Sequence, residues 1–126
     1  MPTVSMNIMM IELGHLPDRD LSPNKRLHYM SVYKAKAAAK QVATALALAQ
    51  GKPAHPIEKA HITITWVAKD KRRRDIDNLF ASMKSYLDGL VEVGLIADDS
   101  AMHVSYTLKY ERGDKDNTII EVKEIG

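Results

Sequence analysis

The sequence predicts an α+β fold, a single domain in the order βαβαββ with two helices packed on a mixed sheet. Three observations predict it. Stretches near the start, in the middle and twice near the end alternate apolar and polar residues with the period of a strand. Two longer stretches repeat apolar residues at helical spacing. The last two strand-like stretches follow each other with no helix between them, so helices and strands do not strictly alternate. A chain of 126 residues, 45% hydrophobic and 27% charged, is globular in composition and suits one core. It has no cysteine, so disulfides and thiolate metal sites are excluded and any metal would be held by oxygen or imidazole.

The first strand is expected over Thr3 to Leu13, with Val4, Met6, Ile8 and Met10 forming its apolar face. No basic region precedes it and no small-residue cleavage site follows, so it does not read as a signal peptide. No apolar run approaches the ~20 residues of a membrane span. A cytoplasmic protein without a membrane partner is therefore expected. Gly14 to Arg26 reads as loop, rich in the turn formers Pro17, Asp18, Asp20, Ser22, Pro23 and Asn24. A helix is expected from about Met30 to Gln50, with Val32, Ala35, Ala39, Val42, Ala43 and Leu46 along one stripe. Gly51 suits its C-terminal cap, and Pro53 and Pro56 prevent the helix from resuming.

Ile57 to Val67 reads as a strand in which Ile62, Ile64 and Trp66 face the core and His61 lies on the opposite face. The second helix is expected from Asn78 to about Val93, with Leu79, Met83, Tyr86, Leu87, Leu90 and Val91 on its apolar face. Lys84, Asp88 and Glu92 are spaced to form a solvated pairing row, and Gly94, or Gly89 earlier, would end the helix. Val104 to Tyr110 and Thr118 to Ile125 alternate as strands around a polar turn, which predicts a hairpin between them.

The basic residues are segregated. Between Leu21 and Ile57 stand Lys25, Arg26, Lys34, Lys36, Lys40 and Lys52 with no acid among them, and Lys69, Lys71, Arg72, Arg73 and Arg74 follow, interrupted only by Asp70. Such blocks suggest a surface that faces phosphate, although lysines on a helix also serve as an ordinary solvated face. The arginines run into Asp75-Ile76-Asp77. In an extended segment Asp75 and Asp77 would project together while Ile76 points inward, which would let the two carboxylates hold Mg²⁺ beside an arginine-bound phosphate. The plainer alternative makes Asp77 a helix cap and the arginines a solvated face.

The run Arg72-Arg73-Arg74-Asp75-Ile76-Asp77-Asn78-Leu79, a helix, and then Asp98-Asp99-Ser100 resembles the RusA family of Holliday-junction resolvases. Ser22-Pro23-Asn24-Lys25-Arg26 is similar to that family's early Pro/Asn turn. The resemblance implies a homodimeric Mg²⁺-dependent endonuclease, with Mn²⁺ able to substitute, that cuts four-way DNA junctions and is often borne by phages or prophages. It implies Asp75, Asp77 and Asp99 as metal ligands. The family's catalytic lysine falls on Ala81, and Lys84 is the nearest replacement. Lys71, Arg72, Arg73 and Arg74, with Asn24, Lys25 and Arg26, are the expected DNA contacts.

A straight helix from Asn78 to Val93 would be about 22 Å long, so Asp99 can rejoin Asp75 and Asp77 in the same chain only by a nearly straight return or an early helix end. We expect the in-chain return with an end near Gly89; otherwise Asp99 would complete a site across a dimer. Three other classes stand beside the nuclease: a junction- or DNA-binding protein weakened in catalysis, for which Ala81 speaks; a plain interaction domain; and an enzyme acting on a nucleotide.

Overall fold

A computed structural model of the chain describes residues 8–22 and 29–126. The expected strand positions before residue 8 and the expected contacts Asn24, Lys25 and Arg26 lie outside the described residues. The fold is α+β: helices pack on one face of a four-stranded mixed sheet. In chain order come β1 (Ile8–Glu12), a 3₁₀ turn (Arg19–Leu21), α1 (Tyr29–Gln50), β2 (Ala60–Ala68), α2 (Ile76–Ala81), α3 (Lys84–Glu92), β3 (Val104–Arg112) and β4 (Asn117–Glu124). The sheet order is β1-β4-β2-β3, with β2 and β3 parallel and β4 antiparallel to both β1 and β2. Among the described residues no helix is long and apolar enough to cross a membrane.

Strand β2 is central because its sequence suits no edge. Ala60, Ile62, Ile64, Trp66 and Ala68 are all fully buried on the helix-facing side. The Trp66 indole N–H is the one buried side-chain polar atom without a hydrogen-bond partner among the described residues. On the open face His61 meets Ser105 Oγ at 2.6 Å and Thr107 Oγ1 at 2.7 Å, which ties β2 to β3 across the parallel pair. Ile57 stands apart from the strand and makes a single bridge with Ile96.

The expected β3–β4 hairpin does not form. Strand β2 lies between the two, and their connection passes over its C-terminal end. The Gly113 N–H donates to the Ala68 carbonyl at 3.1 Å and the Lys69 N–H to Asp116 Oδ1 at 2.9 Å. Two strand spacings are about 9.6 Å, a gap that the short polar connection can cover. The expected face of β1 is also inverted. Met9 and Ile11 are buried against Val122 and Ile120, while Ile8 and Met10 are exposed. The run Ile8-Met9-Met10-Ile11 is apolar on both sides, so pairing with β4, not periodicity, decides which side turns inward.

Helix α1 buries Ala35, Ala39, Ala43 and Ala47 at every fourth position, with Val42 and Leu46 partly buried beside them. These small side chains let α3 approach closely. A Cβ added to Gly89 would lie 2.7 Å from the Lys40 carbonyl oxygen and 3.1 Å from the Ala43 Cβ. Gly51 ends α1 with φ +82°, a left-handed conformation suited to glycine.

The single helix expected over Asn78 to Val93 is two helices, and it does not end at Gly89. Ser82 Oγ donates to the Asn78 carbonyl at 2.9 Å, and the Met83 N–H reaches back only to Phe80, also at 2.9 Å. This back-bonding by serine, with one tightened turn, bends the helix between α2 and α3. Met83 is thereby fully buried, while Phe80 meets the Tyr106 ring edge-on at 4.8 Å. Helix α3 continues through Gly89 to Glu92, and Gly94, at φ +84°, closes it.

Candidate functional site

The basic segment after β2 is built around Asp70. Its Oδ1 accepts the Arg72 N–H at 3.0 Å. The Arg74 guanidinium clasps both its oxygens, at 2.7 Å and 3.0 Å, and donates to the Tyr110 hydroxyl at 3.1 Å. Planar guanidinium–carboxylate pairing of this kind is strong and directional. Arg74 holds the Asp70 carboxyl far below the usual carboxylate range, helped by the Arg72 N–H, and Asp70 in turn raises Arg74. Arg112 adds two bonds, to the Ala68 and Lys69 carbonyls. Arg74 is thus turned inward, its side chain only 17% exposed, while Arg73 is 90% exposed and Lys71 and Arg72 are also open to solvent.

Helix α2 begins at Ile76, two residues earlier than two extended aspartates would require. Asp75, still extended at φ −90° and ψ 130°, is the N-cap residue, and its carbonyl accepts the Leu79 N–H. Asp77 lies within the first turn, where its Oδ1 accepts the Asn78 N–H at 2.9 Å. The alternating geometry expected for Asp75 and Asp77 therefore does not apply, and Ile76 is exposed rather than turned inward. The cap position belongs to Asp75, not Asp77, although the Asp75 side chain makes no capping bond. It pairs instead with Arg73 Nη2 at 3.1 Å, a solvated contact that leaves its carboxylate accessible.

Asp75, Arg72, Arg73 and Asn78 line a cleft of about 730 Å³. Its opposite wall is the segment after β1, including His15, Asp18, Arg19 and Ser22. The sequence marked that wall only by its turn-forming composition and, at Ser22, by the start of the Pro/Asn turn. The role of Asp70 did leave a trace, the i, i+4 spacing of Asp70 and Arg74.

Asp99 is placed elsewhere, at the bend between α2 and α3. After α3 the chain runs back to the start of that helix, where Asp99 Oδ2 meets Lys84 Nζ at 2.5 Å. Lys84 also pairs with Asp88 at 3.0 Å, whereas Glu92 leaves the expected row to pair with Lys40 of α1 at 3.0 Å. Hydrogen bonds from Lys84 to Asp99 and then to Asp88 raise the Lys84 ammonium well above its ordinary value. The same contact lowers the Asp99 carboxyl. Burial raises Tyr106 nearby. The Asp99 N–H is held by the neighbouring Asp98 carboxylate at 2.8 Å.

The three expected metal ligands thus fall into two groups, Asp75 with Asp77 at the start of α2 and Asp99 beside Lys84 near its other end. Between the two groups runs α2, six residues and about 9 Å of helix. Among the described residues no three His, Asp or Glu side chains are gathered to hold a metal ion. The donor chemistry still fits a hard cation: Asp75 and Asp77 supply oxygen only, and Mg²⁺ commonly takes one or two carboxylates and completes its shell with water. No family model matches the chain, and no curated protein matches it.

Proposed function

We propose that this protein is a Mg²⁺-dependent endodeoxyribonuclease of the RusA type that resolves four-way DNA junctions in recombination and repair. The observation behind this reading is one cleft that joins the exposed arginines Arg72 and Arg73 to the accessible carboxylate of Asp75. Phosphodiester hydrolysis needs a cationic seat for the phosphate beside oxygen donors for a divalent ion. Arg72 and Arg73, with Lys71 beside them, would seat the backbone. Asp75 and Asp77 would hold Mg²⁺ or Mn²⁺, which would neutralise charge on the phosphoryl oxygens when bound, while Asp99 stands apart on Lys84. Arg74 is a positioning residue in this scheme, because its clasp on Asp70 fixes the segment that carries Asp75. Lys84, kept protonated by Asp99 and Asp88, is suited to stabilising negative charge and not to acting as a base. A four-way junction has approximate two-fold symmetry, and two matched cuts resolve it. A homodimer working in the cytoplasm would supply the two sites.

A second reading has its own support. Lys84 is occupied by two carboxylates, and the position four residues after Asp77 is Ala81. A junction-binding protein with weakened catalysis would look the same. Incubation of the purified protein with a labelled four-way junction, with Mg²⁺ and with EDTA, separates them. Paired, symmetric incisions that need Mg²⁺ are expected. Tight binding with no cleavage in either Mg²⁺ or Mn²⁺ would favour the weakened binder.

A further inference from the structure

The cleft beside Asp75 does not end at α2. A second hollow of about 310 Å³ adjoins it, and Ser22 and Ser82 line both. The second is bounded by Lys84 of α3 on one side and by Val32 and Lys36 of α1 on the other. Together they make a trough from Arg72 and Asp75 at one end to Lys84 at the other.

The wall facing the basic segment is anchored to the sheet. The Leu13 N–H donates to the Thr118 carbonyl at 2.9 Å, the Gly14 N–H to Asn117 Oδ1 at 2.8 Å, and Thr118 Oγ1 to the His15 carbonyl at 2.8 Å. Pro17 is buried, and Asp18 Oδ1 accepts the Asp20 N–H at 2.8 Å, which shapes the 3₁₀ turn. Arg19 lines the first hollow on this wall, Lys36 of α1 lines the second, and both are exposed. Among the described residues neither makes an ion pair, whereas Arg73, Arg74 and Lys84 each hold a carboxylate. Asp18 and Asp20 flank Arg19 in the chain, and Asp18 is already engaged as the cap of the turn. Uncommitted cations along one side, with Arg72, Arg73 and Lys84 along the other, suit a linear polyanion held from both sides.

We propose that Arg19 and Lys36 form a second backbone-binding wall. They hold the phosphates of the DNA strand lying in the trough, Arg19 opposite Arg72 and Arg73 and Lys36 opposite Lys84. This rests on the nuclease reading above and extends it to residues outside the recognised motif. The wall acts in binding, not in chemistry.

The test is fluorescence anisotropy of a labelled four-way junction in EDTA at several salt concentrations. It compares wild type with Arg19→Ala, Lys36→Ala, a double Arg72→Ala/Arg73→Ala variant, and Lys123→Ala as a control on β4 outside the trough. Circular dichroism checks the fold of each. Arg19→Ala and Lys36→Ala should each weaken binding about three- to tenfold near ~0.1 M salt and reduce the slope of log affinity against log salt by about one. Lys123→Ala should change neither. Wild-type affinity and slope in both wall variants, with weakened binding in the double arginine variant, would overturn the wall and leave the nuclease reading standing. A wild-type protein that binds no junction at all would overturn both.

Discussion

The basic segment after β2 and the bend between α2 and α3 are made of the same ingredients, a cation and aspartates, and use them in opposite ways. In the first, the cation is turned inward: Arg74 is largely covered, clasps Asp70 with two bonds and is fixed by Tyr110. That pair builds the segment and leaves Arg72, Arg73 and Asp75 facing the cleft. In the second, the cation is outermost. Lys84, with a side chain 66% exposed, is shared between Asp88 and Asp99 by single contacts. A bidentate guanidinium defines one geometry, whereas an ammonium on a flexible stem can exchange partners. The comparison teaches that proximity of opposite charges does not define a role. What matters is which partner the fold has immobilised.

The largest expected effect comes from the open carboxylate of the first region. Asp75→Asn should abolish junction cleavage while keeping the fold and most of the binding. Even groups standing behind a metal's ligands cost about 10–100-fold when removed, so a direct ligand should cost at least roughly a hundredfold. Near-wild-type turnover would end the assignment of Asp75.

Arg74→Ala should come next. It removes the clasp on Asp70, so the segment carrying Asp75 shifts although Arg72, Arg73 and Asp75 are all kept. A displacement near ~1 Å can cost about a hundredfold in rate. Single-turnover kinetics should show the loss mainly in the chemical step, with junction affinity reduced much less. An equal fall in affinity would mean that Arg74 contacts DNA itself, and the contrast between an inward and an outward cation would break.

Much of the architecture was readable in advance because it depends on local pattern. Alanine spacing and Gly51 marked α1, strict alternation marked β2 with Trp66 inside, and Gly94 marked the end of α3. The misread features depend on contacts distant in sequence. The short polar turn before β4 looks like a hairpin turn whether or not β2 intervenes. The apolar stripe from Leu79 to Leu90 runs on without interruption across the bend, so only the Ser82 back-bond betrays it. Asp75 and Asp77 read as one pair because their spacing suits a strand, yet the helix begins between them. Asp70 read as a gap in a basic run when it is the group around which the run is arranged.

Lys84→Ala tests the looser region. Exposed ion pairs contribute little, so the variant should lose at most about 1 kcal/mol of stability in denaturant titrations. A larger loss would show that the bend is as firmly built as the basic segment.

The smallest effect, and the finest test, is the order of acid titration. A carboxyl lowered in the folded protein adds stability at pH above its unfolded value near ~3.9, and that stability is lost as pH falls through the folded value. Asp70 and Asp99 are both lowered, Asp70 strongly by Arg74 and Asp99 by Lys84. Acidification from pH ~4 should therefore release Asp99 from Lys84 before it releases Asp70 from Arg74. Carboxyl chemical shifts followed by NMR would show Asp99 inflecting at the higher pH of the two. The reverse order would break the comparison.

The sheet order β1-β4-β2-β3 has a consequence for the timing of assembly. On the ribosome, β1 is the first described strand to emerge, yet it pairs only with β4, the last of the strands to be made. Helices α1 and α3 can dock through Ala43 and Gly89, and β2 can meet β3, while the nascent chain still lacks β4. Until β4 arrives and inserts between β1 and β2, one side of the central strand stays unpaired and Ile8–Glu12 has no partner. Non-local pairing of this kind is slow and leaves strand edges open to intermolecular contact. Substitutions in Asn117–Glu124 should therefore reduce the soluble yield during synthesis more than equal changes in β3, whose loss would leave the other three strands paired.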